Sequence, residues 1–347
     1  MTAPFRLYGA ELSPYSLKVR SYLRFKGLEF EWLPRSNARQ EEFARYAKLP
    51  LIPLLVDANE AVLQDSTPII EALEAEYPEP SITPADPALA FLSALLEDYA
   101  DEWLNKAMFH YRWSYPADQE SAAQRIATVI FDGAPPEGAE EGVRTRMTAR
   151  LYHVGSSPET APVIEASFQR LLAFLEPMLA TRAYIFGGTP SLADFGLAGQ
   201  LAQLLSDPTP GAIIRAQAPN IVRWLSRMEN PRVEGGFASF DEVRAQLADL
   251  IRGEVAGAYL AWMSANADAV ANDAPAFTVS VSDAAFSQKP QRYAARALGA
   301  LRAKRAAIGD HAALQSFLQE AGAESVLSAA TPASDDAAES DDDGDDE

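Results

Sequence analysis

Two short segments near the amino terminus carry residue types that could take part in binding: one could pair with an extended peptide, and the other could begin a helix. Pro53 lies inside the apolar run Leu51–Val56, where proline is unusual because it cannot donate to a neighbouring strand. It fits either an edge strand or a cis Ile52–Pro53 bond that leaves the Ile52 backbone free to pair with an extended peptide. Asp65 and Ser66 open an apolar-periodic segment. They either cap a helix or hold a ligand, since free N–H groups at a helix N-terminus favour a carboxylate.

Composition excludes several other kinds of chemistry. The chain has 347 residues and no cysteine, which rules out disulfides, thiolate metal sites, iron–sulfur clusters and a cysteine nucleophile. Its three histidines are far apart in the sequence, so we expect no metal site. The net charge of -20 argues against nucleic acids and anionic membranes, because both require a basic face. The sequence shows neither a signal peptide nor an apolar run of the ~18 residues that span a membrane, which predicts a cytoplasmic protein.

The first 80 residues alternate between strand and helix patterns. Along the chain we predict a strand at 5–9, a helix at 17–26 that stops at Gly27, a strand at 28–33, a helical turn at 41–46, a hairpin at 51–64 and a helix from 65. Strands separated by helices favour parallel pairing, and the late hairpin adds an antiparallel edge. This β-α-β-α-β-β-α order is typical of a thioredoxin-like α/β domain.

The pattern is helical almost throughout after a proline-rich stretch at 78–87. We predict helices at 89–112, 161–179, 191–205 and 221–229, with a loop at 133–142. Beyond them, helical stretches at 240–251, 255–270 and 291–321 flank a strand-like run at 277–281. The chain thus divides into a thioredoxin-like domain (1–80), a linker (81–87), an all-helical domain (88–234), a mostly helical extension (235–330) and an acidic tail (331–347).

The two carboxy-terminal segments have unusual charge patterns. Nine of the last thirteen residues are acidic, so the tail is expected to stay disordered, as a solubility or interaction segment. Residues 291–302 form a basic amphipathic pattern. This helix either packs Tyr293, Leu298 and Leu301 onto the helical domain or binds a protein partner.

Four motifs, in this order and spacing, resemble the glutathione transferase superfamily over roughly residues 1–235. They are Tyr8 followed by Ser13-Pro-Tyr-Ser-Leu-Lys-Val-Arg20, Leu51-Ile-Pro-Leu54, Val62-Leu-Gln-Asp-Ser66, and Ser191-Leu-Ala-Asp194. The last motif also has a local physical reason, because the Ser191 and Asp194 side chains can form a capping box. The resemblance implies a thioredoxin-like domain followed by an all-helical domain, glutathione as co-substrate, no metal, and a homodimer.

The family's glutathione contacts can be carried onto matching residues. The resemblance implies that the Ile52 backbone, turned outward before Pro53, pairs with the cysteinyl unit of glutathione. It also implies that Ser66 and Asp65 hold the γ-glutamyl end, with Asp65 taking the ammonium. These assignments agree with the preference of a helix N-terminus for a carboxylate.

The family lowers the thiol pKa with a hydroxyl donor near the end of the first strand or the start of the first helix. Ser13 matches the position of the catalytic serine in serine-type classes, and Tyr8 matches the phenol of tyrosine-type classes; Tyr15 and Ser16 are alternatives. A thiol titrates near 8.5, and hydrogen bonds of about 1.5–3 kcal/mol to a charged sulfur lower its pKa by a unit or more. Ser13 could instead only cap the helix. Glutaredoxin-like relatives carry a cysteine here, so its absence excludes thioltransferase and dehydroascorbate-reductase chemistry.

The predicted helix at 89–112 carries both acids and aromatics. Four carboxylates share one side of it: Glu97, Asp98, Asp101 and Glu102. They form either a solvated face partly neutralised by Lys106, or the lining of a second-substrate cleft or dimer seam. In the second interpretation the aromatic wall consists of Tyr99, Trp103, Tyr111 and Trp113.

Two functional hypotheses follow. The first is a glutathione transferase-like enzyme that activates the glutathione thiol for attack on a small electrophile. The second is a non-catalytic scaffold of the same fold that binds a protein partner through the extension or tail. The Pro53 and Asp65-Ser66 motifs favour the enzyme, and the additional carboxy-terminal residues favour the scaffold.

Overall fold

The amino-terminal part of the chain folds around a four-stranded sheet. The structure, a computed structural model, describes residues 4–329; the predicted disordered tail at 331–347 lies outside them. The strands are β1 (Phe5–Gly9), β2 (Phe30–Pro34), β3 (Leu54–Val56) and β4 (Val62–Gln64). They are ordered β2-β1-β3-β4, with β1 and β2 parallel and the other pairs antiparallel. The predicted order of strands and helices along the chain, the parallel pair and the antiparallel hairpin edge are confirmed.

Three helices complete this part. They are α1 (Pro14–Lys26), α2 (Gln40–Tyr46) and α3 (Ser66–Glu76). Helix α1 begins three residues before the predicted start, because Ser13 caps it and Pro14 occupies its first position, where a missing N–H is harmless. It ends at Gly27, whose φ of 65° lies in the left-handed region that glycine adopts at helix ends.

The middle of the chain is helical. Its elements are α4 (Pro87–Tyr99), a π-helical segment (Ala100–Leu104), α5 (Asn105–Ser114), α6 (Pro116–Ile130), α7 (Ala139–Thr148), α8 (Ala161–Leu179), α9 (Leu192–Ser206), α10 (Pro208–Gln217) and α11 (Pro219–Met228). The predicted helix at 89–112 is the continuous stretch from α4 to α5. The predicted loop at 133–142 is partly wrong, since α7 begins at Ala139. Helix α9 opens with the predicted capping box of Ser191 and Asp194.

The extension forms further helices and a hairpin. Its elements are α12 (Phe240–Leu250), a π-helical segment (Ile251–Leu260), α13 (Ala261–Ala271), β5 (Phe277–Val281), β6 (Ala284–Gln288), α14 (Arg292–Ala307), α15 (Ala312–Glu320) and α16 (Glu324–Leu327). The predicted strand at 277–281 is present and pairs with β6, which the sequence analysis did not predict. The predicted helix at 291–321 is interrupted at Gly309, which has a φ of 68°.

The extension belongs to the main hydrophobic core, which runs without a break from Leu7 in β1 to Leu327 in α16. The ring of Trp103 lies 5.9 Å from that of Trp262 and 5.4 Å from that of Phe286. On α14, Leu298 and Leu301 are buried as expected for a packed helix, whereas Tyr293 is half exposed. The extension therefore packs as part of the helical body.

Among the helices of residues 4–329, none is long and apolar enough to cross a bilayer.

Removing one large ring tests whether the core is continuous. Trp262→Ala deletes a fully buried side chain, and changes of this kind cost about 3–5 kcal/mol. We expect a lower denaturation midpoint for the whole chain in urea, followed by far-UV circular dichroism. The control Val233→Ala changes an exposed side chain and should leave the midpoint unchanged. A separate early transition, with the remaining signal at the wild-type midpoint, would contradict a shared core.

Candidate functional site

Three loops meet at one end of the sheet. Tyr8 near the end of β1 pairs with Leu54 at the start of β3, and Leu54 pairs in turn with Gln64 at the end of β4. The loop after β1, the Ile52–Pro53 segment before β3 and the Asp65-Ser66 segment after β4 therefore lie side by side. The arrangement brings together the two segments predicted to bind a peptide.

The Ile52–Pro53 bond is cis, as the cis alternative predicted. Pro53 is buried, while Ile52 is partly exposed. The Pro53 carbonyl accepts a hydrogen bond from the Asp65 backbone N–H at 3.1 Å. This bond joins the two predicted binding segments directly.

Gln64 holds the loop that leads into Ile52, a role that sequence analysis missed. Its Nε2 donates to the carbonyls of Leu49 and Leu51, both at 2.7 Å. Its Oε1 accepts from the backbone N–H groups of Lys48 and Leu49 at 3.2 and 3.3 Å. The Gln64 side chain thus supplies the backbone hydrogen bonds of residues 48–51, which belong to no strand of the sheet.

Asp65 and Ser66 form the start of α3. Asp65 has a φ of 80°, and its Oδ1 accepts from the Ser66 N–H at 2.6 Å. The Ser66 side chain is only 1% exposed, and its Oγ accepts from Lys18 Nζ at 3.3 Å. The capping interpretation is therefore correct for Asp65, which stays partly exposed.

Ser13, in the loop after β1, keeps a hydroxyl hydrogen available at this end of the sheet. It is partly exposed, and its Oγ accepts from the Ser16 N–H at 3.2 Å. Among the hydrogen bonds of residues 4–329, this oxygen accepts but does not donate. Helix capping and thiol activation are thus compatible roles for Ser13, because capping uses only its lone pair.

The other three hydroxyl candidates are held by the scaffold. Tyr8 is fully buried in a cluster with Phe43, and its hydroxyl donates to Glu42 at 2.7 Å. The phenol hydrogen is thus engaged by Glu42 rather than available to a thiol. Ser16 is also fully buried, and its Oγ accepts from the Ala10 N–H. Burial holds each of these groups in one structural bond.

Tyr15 links α1 to the long helix, which is the continuous stretch of α4, the π-helical segment after it and α5. Its hydroxyl donates to the Asp101 carbonyl at 3.1 Å and accepts from Asn105 Nδ2 at 3.3 Å. Burial, with the charges of Asp101 and Glu102, raises the pKa of Tyr15 well above its usual range. The phenol therefore stays protonated and acts as a structural donor.

Lys18 is a buried cation beneath the candidate site, and sequence analysis gave it no role. Its side chain is 1% exposed. Its Nζ contacts Glu97, Asp101 Oδ2 at 2.6 Å, Thr67 Oγ1 at 2.9 Å and Ser66 Oγ. The two carboxylates outweigh burial and raise the pKa of Lys18 above its usual value. The only sequence signal was a lysine on the apolar side of a short helix.

The acidic side of the long helix is not the solvated face that was one prediction. Glu97 and Asp101 are nearly fully buried against α1, and Asp98 accepts from the Tyr259 hydroxyl of the extension. Burial raises the pKa of Asp98 and of Asp101 to about 7, and Lys18 opposes the rise at Asp101. Glu97 and Asp101 are buried because α1 packs over them, and the extension partly covers Asp98.

Lys106 is buried as well and does not neutralise an exposed face. Its Nζ donates to Gln288 at 3.0 Å and lies 3.8 Å from the ring centre of Trp262. Burial lowers its pKa to about 7, with Glu102 opposing the shift. Lys106 therefore attaches the long helix to the extension.

The predicted aromatic wall is a further correction. Tyr99, Trp103 and Tyr111 are at most 2% exposed, so they line no open cleft in this structure. Tyr99 donates to Glu254 of the extension, and Trp103 Nε1 donates to Ser167 on α8 at 2.9 Å. Tyr111 packs edge-on against Phe168. The sequence could not distinguish a cleft wall from a core because the covering residues come from distant segments.

Comparison with known proteins matches two segments of the chain to models of one family. Residues 7–81 match the family model "Glutathione S-transferase, N-terminal domain", and residues 137–227 match "Glutathione S-transferase, C-terminal domain". The chain belongs to the glutathione transferase superfamily, with the predicted thioredoxin-like and all-helical parts. Both matches end before α12, where the extension begins its first helix.

Individual relatives agree with this assignment. A zeta-class glutathione S-transferase of Euphorbia esula is 39% identical over 85 residues, which are 23% of this chain and 37% of that protein. The isoprene-epoxide–glutathione S-transferase of Rhodococcus sp. (strain AD45) is 26% identical over 225 residues, 63% of this chain and 92% of that protein. Among solved structures, the beta-etherase LigF of Sphingobium sp. strain SYK-6 shares the fold, with 23% identity, a TM-score of 0.50, and coverage of 66% of this chain and 95% of that one.

Removing the buried cation tests its role in holding the site. Lys18→Met leaves Glu97 and Asp101 without their cation, and breaking a buried pair from one side costs about 3–5 kcal/mol. We expect that loss of unfolding free energy near neutral pH, measured by urea denaturation. Lys304→Met, which removes an exposed ion pair, is the control and should change little.

The loss should shrink as the pH falls toward about 4. Burial raises the pKa of Asp101 from its usual 3.8 to about 7. The contribution of protonated Asp101 to the unfolding free energy is therefore fully present below pH 3.8 and is lost as the pH rises through about 7. Lys18, whose pKa is also raised, stays charged over this range. At low pH the variant therefore no longer buries an unpaired carboxylate. An equal loss at both pH values would refute this account.

Proposed function

We propose that this protein is a glutathione transferase that binds glutathione at the three loops and activates its thiol with Ser13. The observation that carries the proposal is the side-by-side position, at one end of the sheet, of the cis Ile52–Pro53 segment, the Asp65-Ser66 helix start and the loop after β1 that holds Ser13. The names of the relatives, which are glutathione S-transferases, favour an enzyme over a scaffold. A homodimer, a cytoplasmic location and a protein partner of the extension stay predictions.

Glutathione would be held from both ends of its γ-glutamyl-cysteinyl backbone. Ile52 would pair with the cysteinyl unit through its main chain. The γ-glutamyl carboxylate would lie at the start of α3, where the helix dipole and N–H groups favour an anion. Since the Ser66 oxygen already accepts from Lys18, its hydrogen is directed away from Lys18 and can donate to that carboxylate. Asp65 would accept from the ammonium.

Ser13 would then act on the sulfur. Its hydroxyl donates to the thiolate, which lowers the thiol pKa and increases the fraction of thiolate near neutral pH. The thiol proton passes to solvent, and the sulfur forms a bond to an electrophilic carbon of the second substrate. With an epoxide, the carbon–oxygen bond breaks and the oxygen takes a proton from water.

Calorimetric titration of reduced glutathione tests binding. We expect wild type to bind, and Ser66→Ala to weaken binding by about tenfold, as loss of a hydrogen bond to a charged group predicts. Ser226→Ala, an exposed serine on α11, serves as the matched control. No heat of binding to wild type at millimolar glutathione would overturn the proposed function.

The pH profile of conjugation tests the activating hydroxyl. With an epoxide or an activated aryl halide, Ser13→Ala should lower kcat/KM about tenfold below neutral pH and shift the rise of the profile upward by about one unit. The shift does not depend on the folded fraction, so it separates activation from helix capping.

Tyr8→Phe is the control for that experiment. The Tyr8 hydroxyl contacts Glu42 rather than the site, so its profile should match wild type. A Ser13→Ala enzyme as fast as wild type at every pH would exclude Ser13 as activator.

A further inference from the structure

The extension reaches the candidate site through one side chain. The Tyr293 hydroxyl, on the first turn of α14, donates to Asp65 Oδ2 at 2.8 Å. A second contact between α14 and α3, Lys304 Nζ to Glu71 Oε1 at 2.7 Å, lies on the exposed surface. Of the two contacts, the first involves a residue that would bind glutathione.

The start of α14 is fixed firmly enough to position Tyr293. The Gln291 N–H donates to Asn266 Oδ1 at 2.7 Å, and Asn266 Nδ2 donates to the Gln291 carbonyl at 2.9 Å. Asn266 is fully buried, and so are Ala294 and Leu298 on the inner face of the helix. Tyr293 therefore lies on a helix start that is held by hydrogen bonds and packing, and its half-exposed side chain contacts Asp65.

Two hydrogen bonds hold the Asp65 carboxylate in one orientation. Oδ1 accepts from the Ser66 N–H and Oδ2 accepts from the Tyr293 hydroxyl. An ionised carboxylate has about four lone-pair positions, so two stay available to a ligand. A neutral phenol orients the group without reducing its charge.

We propose that Tyr293 is a positioning residue of the glutathione site, which holds Asp65 ready for the γ-glutamyl ammonium. The inference rests on the proposed function and adds to it. Recognition of the amino end of glutathione is then shared between the thioredoxin-like domain and the extension of the same chain. The side chain assists binding by fixing its target in advance, which lowers the entropy lost when the ligand is bound.

The electrostatic surroundings favour a donor at this position. Burial and the charge of Asp65 raise the pKa of Tyr293 above its usual range, with Glu102 and Asp101 adding to the shift. The phenol thus stays protonated at neutral pH and always donates. The negative charge of these carboxylates also attracts a cationic group that is placed next to Asp65.

The test compares two ligands that differ only in the ammonium group. Reduced glutathione and its deaminated analogue, which lacks that group, are titrated calorimetrically into the full chain. Tyr293→Phe should weaken glutathione about fivefold to tenfold, since it removes one hydrogen bond to a charged group. The affinity for the deaminated analogue should be unchanged, because Asp65 has no ammonium to bind there. The analogue also corrects for any unfolded fraction, which affects both ligands equally.

Lys304→Ala is the matched control, since it removes the other contact between α14 and α3 and should leave both affinities unchanged. Equal weakening of both ligands by Tyr293→Phe, or the same weakening by Lys304→Ala, would mean that Tyr293 only docks the extension and would overturn the inference. Tighter glutathione binding in Tyr293→Phe would overturn it too, by making Tyr293 a competitor of the ammonium. If wild type binds glutathione and Tyr293→Phe binds it equally well, only this inference fails. If wild type does not bind glutathione, the proposed function fails with it.

Discussion

The burial of the Lys18 ammonium constrains the arrangement of the rest of the site. An ammonium group inside a protein is tolerated only where charged and polar acceptors surround it, because its lost hydration is worth several kcal/mol. Here the acceptors come from two separate helices: Ser66 and Thr67 on α3, and Glu97 and Asp101 on the long helix. Since Lys18 itself lies on α1, one charge fixes the relative positions of three elements.

The hydrogen bonds around the site also show which polar groups have a structural role and which can still bind a ligand. Of the four hydroxyls near the first strand and helix, Tyr8, Tyr15 and Ser16 each make a hydrogen bond within the scaffold. Ser13 uses only its lone pair for capping. Gln64 orders the loop before Ile52 with four hydrogen bonds from its one side chain. The candidate site therefore relies on the hydrogen-bonding capacity that Ser13, Asp65 and Ser66 keep beyond their structural bonds.

The extension changes the surroundings of this framework without altering the family fold. It contacts Asp98 of the long helix through Tyr259 and Tyr99 through Glu254. It also encloses Lys106 with Trp262 and Gln288. At Asp98, which accepts from Tyr259, burial raises the carboxyl pKa to about 7; Asp101, buried against α1, has a similarly raised pKa. The same packing presents Tyr293 to Asp65.

The sequence by itself determined the elements and the local binding motifs of this protein. The strand and helix order of the first 80 residues, the cis bond before Pro53, the capping box at Ser191 and the start of α3 depend on neighbouring residues, so their patterns could be recognised along the chain. The tertiary structure alone decided which groups are buried. Lys18 meets Glu97 and Asp101 across about 80 positions, and Asp65 meets Tyr293 across more than 200. An acidic helix face has the same sequence pattern whether water or an extension covers it, because solvation depends on what folds against it from elsewhere in the chain.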